Sequence, residues 1–427
     1  MHTTLFYIII AILLADAVWG WILEELNRKS WAHKVPERLA DVYPQEKFEK
    51  QKQYRKVNHR FGKISSTFSL VVLLVFLWYH GFAWVDETVQ QLTGHWLWRP
   101  LFFFGAMGLA SFIIGLPFSV YQTFVIEERF GFNKTTPKTF VLDQIKGLLL
   151  GAIIGGVLLG LIVWFYEFAG RWFWLYAWAG LSLFMIFFSK FYTTLILPLF
   201  NKQTPLEEGE LRTAIEEMSK KAGFTLENVY VMDGSKRSTK ANAFFSGFGK
   251  NKRIVLFDTL INDLETREIV AVLAHEIGHF RLRHIIWSTV LSVLQTGLTL
   301  FLLGWFVNEP ALSQALGVEE PVFHIGLIGF AILYSPVSEI LGLGMTIFSR
   351  RNEYQADAFA AKYADARALQ SALKKISANA LSNPTPHPWY VFFNYSHPPL
   401  LKRLEALDRE QGAWSREHGA GSRKNSS

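Results

Sequence analysis

Apolar residues gather into seven continuous runs, at about 5–23, 64–85, 101–125, 147–168, 172–200, 285–307 and 322–348. Roughly 20 helical residues cross a hydrocarbon core of about 30 Å, so each run predicts a membrane-spanning helix. The last run is interrupted by Pro336, Glu339 and several glycines, which spanning helices tolerate where neighbours re-satisfy the freed backbone. Asp16 lies inside the first run. A carboxylate at that depth either lines water or pairs within the bundle, and a structural hydrogen bond fits it equally well. The first run is longer than a signal-peptide core, no Lys or Arg precedes it, and Glu24 and Glu25 follow it. A retained anchor is expected.

Between the fifth and sixth runs the pattern changes to one of soluble character, over residues 201–283. Pro205 to Gly223 alternates at helical spacing and ends on glycine, predicting an amphipathic helix. Asn228–Asp233 predicts a short strand. Ala241–Phe248 and Arg253–Phe257 predict two more, joined by a hairpin turn at Gly249–Lys252. Asn262 is placed to cap a following helix, with Glu265 as the third residue reaching back to it. In that helix Ile269, Val270, Leu273 and Ile277 recur on one face.

Beyond the last run, helix is expected from Glu353 to about Leu381, then a break at Asn383–Pro388. A final helix starts at Pro398–Pro399, leaving His397 just ahead of its first turn as an exposed imidazole. From Gly412 the chain turns polar and small, predicting an unstructured tail. The implied organisation is a membrane bundle at 1–200 with a basic loop at 24–63, a catalytic segment at 201–283, and two further spans at 284–348. A helical part at 349–411 and the tail at 412–427 complete it. The fold class expected is mainly α, a seven-helix integral membrane protein carrying a small β-sheet.

Composition agrees with membrane residence: 50% of residues are apolar and 15% aromatic, well above soluble proteins in aromatic content. The formal charge of +7 is concentrated in alternate loops. The loop after the first run holds Arg28, Lys29, Lys34, Arg38, Lys47 and further basic residues, whereas the loop at 308–321 has none. By the positive-inside rule the amino terminus faces outward and residues 201–283 face the cytoplasm. No basic stripe interleaves with aromatics, so nucleic acid is not an expected partner; the lipid bilayer is. Cysteine is absent, which leaves His and carboxylates for any metal.

The chemistry centres on His275-Glu276-Ile277-Gly278-His279. Residues four apart share a helix face, so both imidazoles reach one ion while Glu276 points beside it toward water. A catalytic zinc takes three protein ligands and keeps the fourth position open. Glu353 is the best candidate for the third. Asp357 lies one turn further on and can orient a ligating imidazole; equally, Glu353 and Asp357 can form solvated pairs with Arg350 and Arg351. An edge strand at Asn242, Ala243 and Phe244 can hold an extended peptide by main-chain hydrogen bonds. The alternative is a strand that only packs against the helix.

These parts resemble the type I CAAX prenyl proteases, membrane-integral zinc endopeptidases that act on prenylated proteins. The resemblance rests on His275–His279, Glu353-Tyr-Gln-Ala-Asp357, Asn242-Ala-Phe, Ser396-His-Pro-Pro399 and Glu127-Glu-Arg-Phe-Gly-Phe-Asn133. It implies one Zn²⁺ held by His275, His279 and Glu353, with Glu276 as general base, Asp357 supporting a ligand, and His397 and Arg403 assisting near the scissile carbonyl. The short final tail and the lack of a retrieval signal suit a bacterial inner-membrane relative; in a eukaryote the endoplasmic reticulum membrane is expected. The rival enzyme class is a quality-control protease for misfolded or translocation-stalled membrane proteins. A non-enzymatic transporter or scaffold with structural zinc would fill all four metal positions and give Glu276 no task.

Overall fold

The computed structural model describes residues 2–224, 229–246 and 253–422, and for residues 245, 246 and 413–422 the backbone alone. The chain opens with α1 (Thr4–Lys29), capped by the Thr3 hydroxyl. Two helices, α2 (Gln45–Trp78) and α3 (Gly81–Leu92), follow. The run at 64–85 is therefore not one straight span. His80 takes a left-handed conformation (φ 53°), and Gly81 lies against the Phe76 ring with no room for a Cβ. Next come α4 (Trp98–Tyr121), a π-helical turn at Gln122–Glu127, α5 (Pro137–Ala169) and α6 (Phe173–Leu195).

Among the described residues, 6 segments are long and apolar enough to cross a membrane, and the longest, Pro137–Leu199, contains both α5 and α6. Gly170, at φ 52°, reverses the chain between them, and Phe165 stacks on Tyr176 across the hairpin. The seven apolar runs thus correspond to helices, two of them from one segment. Asp16 accepts a hydrogen bond from Ser335 Oγ at 3.2 Å, a contact between the first and last spans.

The segment at 201–283 is a small mixed sheet packed on helices. Its strands are β1 (Gln203–Pro205), β2 (Val229–Met232), β3 (Ala243–Ser246) and β4 (Arg253–Phe257), with α7 (Glu210–Lys221) between the first two. The order is β1-β2-β4-β3; β2 and β4 run parallel and the outer pairs antiparallel. β1 escaped the sequence pattern, being 3 residues long; it takes up Pro205, so the amphipathic helix begins later than expected. The turn expected at 249–252, Asn228, and residues 247–248 lie outside the described residues.

After β4 come α8 (Asp258–Asp263) and α9 (Thr266–Arg281). Asn262 does not cap the catalytic helix: it belongs to α8, and the cap is Glu265. Glu265 and Glu268 form the capping box reciprocally, each carboxylate satisfying a backbone N–H that a helix start leaves free. Then follow α10 (His284–Phe306), α11 (Pro310–Ala315) and α12 (Phe323–Tyr363). The last is one helix of 41 residues that carries a span and continues to the site.

The helix expected to run to Leu381 is broken instead at Asp365, whose side chain caps α13 (Ala366–Asn379) by accepting from Arg367 N at 2.8 Å. α14 (Pro388–Asn394) and α15 (Leu400–Ser422) complete the chain. α15 passes through Gly412, where an unstructured tail was expected. One glycine costs a helix only about 1 kcal/mol relative to alanine. The core beneath the site joins α7, α9, α13 and β4, through Ile215, Ile254, Leu256, Ile269, Leu273 and Leu369, all fully or almost fully buried.

Candidate metal centre

The inner face of α9 is apolar and the other carries His275 and His279. Ile269, Leu273 and Ile277 anchor the inner face. Glu268, fully buried, adds a polar anchor: its carboxylate accepts from Lys375 Nζ at 2.8 Å and Ser371 Oγ at 2.5 Å, both on α13. The helix bearing the imidazoles is thereby fixed in rotation as well as position.

Gly278 sets how close α12 comes. A Cβ there would stand 3.2 Å from the Ala356 Cα and 3.1 Å from the Phe359 Cβ, so only glycine admits this crossing without displacement. The close approach delivers Glu353 to the imidazoles. His275 Nε2 and His279 Nε2 are 3.2 Å apart, and Glu353 oxygens lie 3.5 Å from the first and 3.3 Å from the second. Arg350 and Arg351 form no pair with Glu353 or Asp357. Arg350 Nη1 instead donates to the carbonyls of Val391 and Tyr395, at 3.2 and 2.5 Å, holding the segment that leads to His397.

Behind these three side chains the polar atoms are nearly all accounted for. His275 Nδ1 stands 2.9 Å from Asp357 Oδ1, and Arg403 grips the same carboxylate with two donors, at 2.6 and 2.9 Å. Asp357 is buried, so the paired guanidinium is what keeps it charged there. His279 has its own support, which the sequence pattern missed. Its Nδ1 lies 3.1 Å from His284 Nδ1, and His284 Nε2 lies 2.9 Å from Gln355 Oε1. With His279 Nε2 turned to the site, its Nδ1–H donates to His284, whose Nε2–H donates to Gln355. His284 is five positions beyond His279, off the shared helix face; the left-handed Arg283 (φ 60°) folds it back.

Electrostatics follow from this packing. Burial opposes protonation of His275, but hydrogen bonds to Asp357 and Glu353 prevail and push it up to about 9. Burial pushes the Glu276 carboxyl above its usual range, opposed by the two imidazoles and reinforced by Glu353. A raised carboxyl pKa suits a group that must take and release a proton near neutrality. His397 Nε2 reaches Glu353 Oε1 at 3.2 Å, though its ring is largely exposed, and Ser396 Oγ lies 3.0 Å from its Nδ1. Desolvation on its inner side lowers its pKa, with Glu353 opposing and Arg403 assisting.

Two cavities meet at Glu276 and His279. One, of about 420 Å³, is lined by Asn242, Ala243, His275, Glu353, His397 and Arg403 among others. The second, of about 560 Å³, lies between α6, α10 and α12 and includes Phe244, Ser288, Ser292 and Asn352. β3 is the edge strand beside the first cavity, paired only to β4 among the described residues. The structure brings together all the site residues expected from sequence: Asn242, Ala243, Phe244, His275, Glu276, His279, Glu353, Asp357, His397 and Arg403.

The donor set fits a metal ion. The ligand atoms of His275, His279 and Glu353 all lie within 4.8 Å of one another. Tetrahedral zinc with bonds of about 2.0–2.1 Å places neighbouring donors roughly 3.3 Å apart, close to the spacings here. Glu353 Oε2 is buried without a well-aligned hydrogen bond, His275 Nε2 and Arg403 Nη1 each standing 3.5 Å away, which leaves room for an ion to complete its partners.

Residues 26–202 match the CAAX prenyl protease N-terminal family, described as five membrane helices, and residues 205–411 match peptidase family M48. A CAAX prenyl protease 1 homolog of Oryza sativa is 37% identical over 88% of this chain and 90% of its own length. The chain belongs to the type I CAAX prenyl protease family. Its human relative, also a CAAX prenyl protease 1 homolog, is 35% identical over 91% of this chain and 92% of its own. The crystal structure of S. mikatae Ste24p superposes with a TM-score of 0.90 at 34% identity, covering 96% of this chain and 100% of that one. The chain is thus an integral multi-pass membrane metallopeptidase, and the transporter and scaffold alternatives fall away.

Proposed function

We propose that this protein is a zinc-dependent endopeptidase that cuts near the C-terminus of prenylated proteins, with Glu276 as general base and β3 as the strand that holds the substrate. The observation that carries this is the meeting of Glu276, the three-donor cluster and an open strand edge on one cavity. His275, His279 and Glu353 would hold the ion. Bound zinc supplies Lewis-acid polarisation of the scissile carbonyl and of water.

The chain's own residues do the rest. Main-chain groups of Asn242–Phe244 align an extended peptide across the cavity without reading much of its sequence. Glu276 takes a proton from the attacking water and passes it to the leaving amine. His397 donates to the oxygen on which charge develops. Asp357 fixes the His275 ring and Arg403 fixes Asp357, so neither drifts as charge moves.

The test compares wild type with Glu276→Gln on prenylated and unprenylated forms of one C-a-a-X peptide, with zinc content measured alongside. Wild type should favour the prenylated form, and Glu276→Gln should keep its zinc while losing about 100- to 10,000-fold in turnover. Full activity in Glu276→Gln would remove the base assignment. Equal cleavage of both peptides would remove prenyl recognition and favour the quality-control alternative. Orientation, with the site facing the cytoplasm, is tested separately. Because the chain has no cysteine, single cysteines in the 24–63 and 308–321 loops are clean reporters; labelling of the first from outside would reverse the assignment.

A further inference from the structure

The motif at 127–133 takes no part in the chemistry above, yet it grips the chain just upstream of β3. Residues 234–242 are held on one side by β4 and α8, through Phe257, Asp258 and Thr259, and on the other by the connection between α4 and α5. Asn133 and Ser238 form an antiparallel bridge. Lys134 N donates to Arg237 O at 3.0 Å, and Thr239 N to Phe132 O at 3.2 Å. The Arg237 guanidinium is bidentate on Asp143 of α5, at 2.7 and 2.9 Å.

Lys240 closes this seam. Its Nζ donates to Glu127 Oε2 at 2.8 Å and to the Tyr54 hydroxyl at 3.2 Å, and stands 4.4 Å from the centre of the Phe132 ring. The other Glu127 oxygen accepts from Tyr54 at 2.6 Å and Gln122 at 3.1 Å. The Glu127 carbonyl accepts from Phe132 N and Asn133 N, so one residue fixes both the loop and the lysine. Glu127 ends the π-helical turn at Gln122–Glu127. Such turns shift the side chains that follow them and recur at functional sites.

Two residues beyond Lys240 is Asn242, on the wall of the metal-site cavity. The Lys240 carbonyl is itself held by Thr259 Oγ1 at 3.1 Å, and the Asn242 carbonyl by Phe257 N at 3.1 Å. Lys240 is thus held on two sides, by the membrane part through its side chain and by α8 through its carbonyl, and only Ala241 separates it from Asn242. The Lys240 side chain is 39% exposed and that of Glu127 18%, so the tether rests on the combination of carboxylate, phenol and aromatic face at one ammonium rather than on the ion pair alone.

We propose that Glu127 and Lys240 form a positioning clamp by which the membrane part of the chain sets the place of β3 against the metal site. The clamp rests on the assignment of β3 as the strand that holds the substrate. Lys240 and Glu127 are positioning residues: they touch neither substrate nor metal ligands, and they act through Asn242–Phe244.

The variants are Lys240→Met, which keeps an apolar stem, Glu127→Gln, their double, and Lys240→Arg. Each is purified as the full chain in detergent. Zinc content, hydrogen exchange over 240–246 and over α9, and kcat and KM on the prenylated peptide are then measured. Lys240→Met and Glu127→Gln should keep zinc and α9 protection, lose protection over 240–246, and lose about 10- to 100-fold in kcat per bound zinc. The double should be no worse than the poorer single, as expected of one coupled pair, and Lys240→Arg should recover most of the loss. Unchanged exchange over 240–246, or activity that falls only in step with zinc or folded protein, would overturn the clamp. Failure of wild type to cut the prenylated peptide would instead overturn the proposed substrate, since the exchange measurement needs no turnover.

Discussion

Gly278 on α9 leaves no space for a methyl group against Ala356 and Phe359, whereas Gly147, Gly151 and Gly155 on α5 have nothing within 4 Å of where a Cβ would stand. The two regions are built to different tolerances. In the bundle, large apolar side chains such as Ile153, Val157 and Leu183 point outward, and helices meet along a few seams with open faces between. Around α9 the core is closed, most of its polar groups are paired, and a shift of one side chain moves a member of the three-donor cluster. The open stretch of α5 needs only to be apolar and long enough, although the bundle has tight crossings of its own, as at Gly326, where a Cβ would run into the Val307 carbonyl oxygen. The surroundings of α9 must hold several donors within tenths of an ångström.

Substitutions in the closed region should separate sharply from those on the open stretch of α5. Arg403→Ala leaves Asp357 buried without its cation, and breaking such a pair costs about 3–5 kcal/mol; thermal unfolding and zinc content should both fall. Gly278→Val pushes α12 away from α9 at a cost of about 1–3 kcal/mol and carries Glu353 out of reach, so zinc should be lost. Gly151→Val, in open space, should leave both unchanged. If Gly151→Val proved as damaging as Gly278→Val, the contrast between the regions would be wrong.

Removing the support of one imidazole is a smaller step. His284→Phe should weaken zinc binding about 10- to 100-fold, the usual effect of losing an outer partner, as read by competition with a chelator. The gentlest probe is pH. In metal-stripped protein, His275 has a folded pKa of about 9 against an ordinary value near 6.5. Its contribution is fully present below about 6.5 and is lost as pH rises through about 9. The Tm of metal-stripped protein should therefore decline over that interval, and zinc-loaded protein should not share the decline. A flat profile without metal would mean that His275 is not held by Asp357 and Glu353 as described.

Sequence made visible what depends on local order or simple length. The apolar runs, the spacing of His275 and His279, and the placement of His397 before paired prolines are of this kind. Glu353 was legible as the best candidate for the third donor, but its place beside the imidazoles is decided by a crossing that only Gly278 hints at. His284 and Gln355 left no signal: they meet through a left-handed turn and a helix 71 residues away. Arg350 stood as an equal alternative partner for Glu353 because helical neighbours are the only ones a sequence offers; the structure turns it toward α14. The breaks at His80 and Asp365, the three-residue β1 and the shifted cap at Glu265 share a cause. Each is set by a packing contact or a reciprocal hydrogen bond that competes with an equally plausible neighbour.

α12 leaves the last apolar residue of its run, Phe348, and reaches Glu353 without interruption. At about 1.5 Å of rise per residue, five residues place the carboxylate roughly 7–8 Å beyond that point. The helix therefore acts as a gauge: it holds the carboxylate at a set height beyond the apolar run, and on the proposed function that height matches the reach of a lipid-tethered substrate. Height and bearing are linked in such a gauge. One inserted residue between Phe348 and Glu353 would raise the level by about 1.5 Å but swing the carboxylate through about 100°, away from both imidazoles, so this distance can be tuned only in whole turns.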